Sequence, residues 1–173
     1  MRCCGCGEEF PDRANPTHAY MLSSPGCWEA YGQVLALEFG NPAYARLHRL
    51  AVDAYAVQHP GRDEPRSRNS VGIHLSRLCL IFDHGWPIER ANDAMVTITA
   101  KNRNYPWLAP PSERGSVTVR HVLAAVAPSE HLDAVEGWAQ AAWQAWAEHH
   151  ATVRGWLEAL KWANPPSNSA RGA

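Results

Sequence analysis

The stretches MRCCGCGEEF (residues 1–10) and SSPGCWEAYG (residues 23–32) hold four of the five cysteines of this chain: Cys3, Cys4, Cys6 and Cys27. Cys3-x-x-Cys6-Gly7 has the form of a zinc knuckle, with two thiolates about one turn apart and a glycine that lets the backbone fold its amides toward the sulfurs. A structural zinc site takes four ligands, so the pair is half a site. Cys27 is a third thiolate, in the first turn of an expected helix, where the positive end of the helix dipole favours an anionic sulfur. A thioredoxin-like redox pair would follow a strand and open a helix, and no strand precedes Cys3.

The fourth ligand follows from the elements that must carry it. Ser23 or Ser24 caps a first helix that has Pro25 in its first turn and ends at Gly40–Pro42. A second helix is expected over 43–59, with Leu47, Leu50, Ala51, Ala54 and Val57 or Gln58 on its apolar face and a stop at Pro60-Gly61. The link between the two is very short, so they pack antiparallel and the start of the first lies beside the end of the second. That end is His59. His48 lies about 16 Å back along the same helix, at 1.5 Å per residue. His59 is therefore the expected fourth ligand. His18, His48 in place of His59, and Cys4 in place of Cys3, are the alternatives. The competing reading makes Cys27 a small buried hydrophobe and His59 a helix C-terminal cap.

The remaining elements are also helical. The charged stretch GRDEPRSRN (61–69) reads as a loop. Helices follow over 70–85, 87–102 and 118–127, with a proline-rich connector over 105–115. The longest helix runs from Pro128 to about Lys161. The expected fold is all-α: a helical bundle with a small N-terminal zinc knuckle at 1–27, one domain over 1–163, and a disordered tail over 164–173.

Together Cys-x-x-Cys-Gly, a cysteine opening a helix, and HRLAVDAYAVQHP (48–60) resemble a bacterial family of small proteins known only as a domain of unknown function. The matching residues are Cys3, Cys6, Gly7, Cys27, His48, Leu50, Val52, Tyr55, Gln58, His59 and Pro60. THAYMLSSPGCW and SVGIHLSRLCL also look like one branch of it. The resemblance implies a zinc-type site and a helical fold, and no reaction. Cys4 stands where the family pattern has a proline.

Composition sets the outer limits. The formal net charge of −1 gives no basic excess for nucleic acid. No apolar run approaches the 18–20 or so residues of a membrane span, and the N-terminus lacks the apolar core of a signal peptide. A cytoplasmic location follows as the expectation, and in that reducing setting five cysteines do not read as disulfides. Phosphate-loop, dinucleotide, Gly-x-Ser-x-Gly and HExxH patterns are all absent.

Three classes of function fit. The first is a zinc-stabilised binding or accessory module with a small-molecule or protein partner. Its ligand would lie against a tryptophan-lined face containing Trp138 and Trp146, with Tyr20 nearby, unless those rings simply fill the core. The second is a small enzyme of specialised metabolism using Tyr55, His74 or His149 as acid, base or metal ligand. An open metal site joining His59 and His74 with His18, Asp53 or His149 is one form of it. The third is a homodimer or larger oligomer with an aromatic seam.

Overall fold

In the computed structural model, residues 1–101, 104–125 and 127–160 are described. They form seven α-helices: α1 Pro25–Gly40, α2 His48–Gln58, α3 Pro65–Phe82, α4 Ile88–Lys101, α5 Val119–Ala124, α6 Pro128–Ala145 and α7 His150–Ala159. There is no strand among the described residues; a single antiparallel bridge, Arg2 to Glu9, closes the N-terminal knuckle. The expected all-α architecture is what the chain forms. The expected tail over 164–173 lies outside the described residues.

The bundle is built around α2. Leu50, Ala51, Ala54, Tyr55, Val57 and Gln58 are all buried, because α3 packs on one side of this helix and α6 on the other. Three small alanines, Ala51, Ala54 and Ala56, let its neighbours come close. A 3-10 turn over Pro42–Tyr44 reverses the chain after α1, so that α1 and α2 run antiparallel. Tyr44 and Leu47 are buried in that reversal. This explains why the second helix begins at His48 rather than Ala43: the intervening residues pack as a turn, with the Tyr44 ring 4.5 Å from that of His131.

Two other elements differ from expectation. The helix expected from Ser70 begins at Pro65, which occupies the first turn, where its missing N–H costs nothing. An Arg68–Asp63 ion pair at 2.5 Å steadies that start. The single long helix expected from Pro128 to Lys161 is broken at Trp146 into α6, a 3-10 turn over Ala147–His149, and α7. Packing accounts for the break. α6 must lie on α2 while α7 lies on α3, and one straight helix cannot follow both. The His150 ring folds back flat on Trp143 at 3.7 Å, and the His149 Nε2–H donates to the Ala109 carbonyl at 2.8 Å.

The same packing buries the tryptophans of this segment. Trp138, Trp143 and Trp146 are 0%, 0% and 1% exposed, and each indole N–H already has an acceptor. Trp138 donates to Gln58 Oε1 at 2.7 Å, Trp143 to Asp83 Oδ1 at 3.0 Å and Trp146 to the Val57 carbonyl at 3.1 Å. These rings fill the interior of the bundle.

Gln58 ties the layers together. Besides accepting from Trp138, its amide N–H2 donates to the Arg114 and Val117 carbonyls at 2.8 and 2.7 Å. Gln58→Leu keeps the volume but strands the buried Trp138 N–H and two carbonyls. The expected cost is at least about 1–3 kcal/mol, read as a lower urea midpoint with unchanged slope.

Candidate metal centre

Each of the four expected ligands is placed by a local device. In the knuckle, the Gly7 N–H donates to the Cys3 carbonyl at 3.0 Å and the Cys3 N–H to the Glu8 carbonyl at 2.8 Å. Gly7 makes this turn possible at φ 77°, a conformation that side chains disfavour. Cys27 sits in the first turn of α1, its N–H donating to Ser24 Oγ at 3.3 Å. The Ser24 N–H in turn donates to Cys3 Sγ at 3.4 Å, so the cap of α1 and the knuckle share one residue. His59 follows the last residue of α2.

The antiparallel pair brings Cys27 Sγ within 3.3 Å of His59 Nε2, and Cys6 Sγ lies 3.9 Å from Cys27 Sγ. One donor atom from each of Cys3, Cys6, Cys27 and His59 falls within 4.8 Å of every other, a group able to hold a metal ion. Cys3, Cys27 and His59 are buried and Cys6 is half-buried. The histidine tautomer follows from its partner. His59 Nδ1 lies 2.8 Å from the Tyr55 carbonyl, which can only accept, so Nδ1 carries the proton and Nε2 turns its lone pair to the sulfurs.

The electrostatics favour a cation here. Hydrogen bonds from Cys27 and Cys6 hold the Cys3 thiol well below its ordinary range, with His59 assisting. The other two sulfurs then meet a negative neighbour. Cys27 lowers Cys6 by its hydrogen bond, but the hydrogen bond and charge of Cys3, with burial, outweigh it and push Cys6 up to about 12. Cys27 is raised further, first by Cys3, then by Cys6 and burial. Crowded together, the three sulfurs oppose one another's ionisation, and a divalent ion would relieve that opposition.

The alternatives are placed elsewhere. Cys4 is exposed and its thiol is raised, by burial first and then by the charge of Cys3. The His18 ring packs against Tyr20 and Trp28, and His48 bonds Glu38 at 3.1 Å. Tyr20 is half-buried beside His18, and His149 holds the proline-rich connector. Tyr55 belongs to the centre: its hydroxyl donates to Cys27 Sγ at 3.7 Å and its ring stacks on His59 at 3.9 Å. His74, named in the alternative grouping with His59, donates from Nδ1 to Asp53 Oδ1 at 2.8 Å, while His59 turns to the sulfurs.

Gly5 is the contributor that sequence reasoning passed over. A Cβ at this position would lie 2.1 Å from His59 Cδ2 and 2.7 Å from the Leu22 carbonyl oxygen. The glycine between Cys4 and Cys6 is therefore required by a ring from a distant helix, which spacing alone does not reveal.

The chain belongs to DUF5946, a family of unknown function, whose model matches residues 1–147. No curated protein and no solved structure matches it.

Gly5→Ala should displace the His59 ring and weaken metal binding by roughly 10–100-fold, the range seen when a supporting contact of a ligand is lost. Cys4→Ser should leave it unchanged. Titration of both variants with cobalt(II), followed by thiolate charge-transfer absorption, measures the difference.

Proposed function

We propose that the centre binds one Zn2+ through Cys3, Cys6, Cys27 and His59, and that the ion is structural. The observation that carries this is the mutual approach of the four donor atoms. Tetrahedral zinc with bonds of about 2.3 Å to sulfur and 2.0 Å to nitrogen requires edges of roughly 3.8 Å between sulfurs and 3.6 Å from sulfur to nitrogen. The 3.9 Å and 3.3 Å separations at Cys27 are close to these values. Three thiolates and an imidazole suit zinc, and four protein ligands leave no open position for substrate.

The role of the ion is to staple the knuckle onto the α1–α2 pair. Residues 1–23 bury little apolar surface, chiefly at Cys3 and Phe10, so coordination supplies folding free energy there. Five free thiols fit a reducing compartment, and we place the protein in the cytoplasm. No helix among the described residues is long and apolar enough to cross a membrane. With the zinc position closed, the protein is read as a binding or accessory module whose working surface lies away from the metal.

Reduced, tag-free protein should carry one zinc per chain by elemental mass spectrometry and retain it through mild chelation. Cys27→Ala should lose the ion and melt about 5–10 °C lower. Metal-free wild-type protein, or zinc that exchanges freely with chelator, would overturn the assignment.

A further inference from the structure

A second constellation lies at the opposite end of the α1–α2 pair. A cleft of about 540 Å3 opens where the end of α1 meets α2, α3 and α4. Phe39, Val52, Ile73, Met95 and Val96 give it apolar walls, and Phe39 and Val96 are 73% and 70% exposed at its mouth. This volume lies in the range of small-molecule sites.

The polar groups of the cleft are built in. Asp53, 2% exposed, bonds His74 Nδ1 through Oδ1 at 2.8 Å and Arg77 Nε through Oδ2 at 2.5 Å. Arg77 also donates to Asn92 from α4, yet its Nη2, though buried, has no acceptor among the described residues. A carboxylate can only accept from His74 Nδ1–H, so the free nitrogen of this ring is Nε2, which has no hydrogen-bond partner among the described residues. His48 repeats the arrangement, with Nδ1 on Glu38 Oε2 at 3.1 Å; Glu38 also lies 3.3 Å from His131 Nε2. Arg49, exposed to solvent, also lines the cleft. The lining thus has two guanidiniums against the one carboxylate of Asp53. Burial first, then the charges of Arg49 and Arg77, hold His48 below its ordinary value.

We propose that this cleft binds a small organic anion, a carboxylate on an apolar body, with the carboxylate held by the Arg77 guanidinium and the body against the apolar walls. The inference rests on reading the protein as a binding module and does not depend on the zinc. An unpartnered guanidinium nitrogen on a buried, four-helix network is a donor awaiting an acceptor. The charged side chains that line the cleft are Asp53 and Arg49 from α2 and Arg77 from α3.

The experiment is a titration of zinc-quantified, 15N-labelled protein with benzoate and, separately, with neutral benzamide, following the histidine imidazole resonances. Saturable shifts of the His74 and His48 resonances are expected with benzoate and not with benzamide. Val96→Glu, at an exposed position of the cleft, should weaken benzoate severalfold without touching the fold. No saturable shift, an equal response to benzamide, or undiminished benzoate binding in Val96→Glu would overturn the proposal. Because zinc is counted in the same sample, loss of the ion and failure of the cleft are read separately.

Discussion

The approach of Cys27 to His59 is the constraint on which the rest depends. A thiol in the first turn of one helix and an imidazole just past the last turn of the next can meet only if the helices are antiparallel and in register. The 3-10 reversal at Pro42–Tyr44, the alanines of α2 and the cap at Ser24 all serve that register. Once it is set, the knuckle has a floor to fold on. Cys3 receives the Ser24 N–H, Gly5 slides under the His59 ring, and Cys6 completes the group.

The same register places polar groups at both ends of the pair. At one end lie the sulfurs and His59; at the other, buried Glu38 lies between His48 and His131 while Asp53 holds His74 and Arg77. Burial pushes Glu38 up to about 8. Between the ends the interior is apolar and aromatic, and Trp138, Trp146 and Trp143 direct their N–H groups to Gln58, Val57 and Asp83. The polar chemistry of the domain is thereby sorted to the two poles of one helix pair, separated by a core.

Much of this was legible in the sequence because it is encoded in short-range spacing. Cys-x-x-Cys-Gly, a capped helix start at Ser24 and a short reversal suffice to place Cys3, Cys6, Cys27 and His59 together. What was not legible depends on partners far away in the chain. The kink at Trp146 arises because α6 and α7 dock on different helices, and nothing in WAQAAWQAWAEHH breaks helical periodicity. The choice between core and binding face for the tryptophans turns on whether acceptors await their N–H groups. Those acceptors lie 60 to 89 residues away. Glu38 and Phe39 adjoin at the end of α1, and the charged residue is the one buried, which no hydropathy pattern predicts; two histidines on other elements decide it.

Residues 58 and 59 are consecutive, and they face different communities. Gln58 grips the 114–117 segment and Trp138, while His59 belongs to the sulfurs. One peptide bond therefore couples the core to the sulfur cluster. Joining Cys27 to His59 closes a loop of 32 residues, an entropic cost of about 4 kcal/mol for an unstructured chain. The contacts of α1 with α2 offset part of that cost, and they hold the two ligand-bearing helix ends together. A substitution that loosens the grip of Gln58 on the core would therefore also loosen the floor on which the knuckle rests.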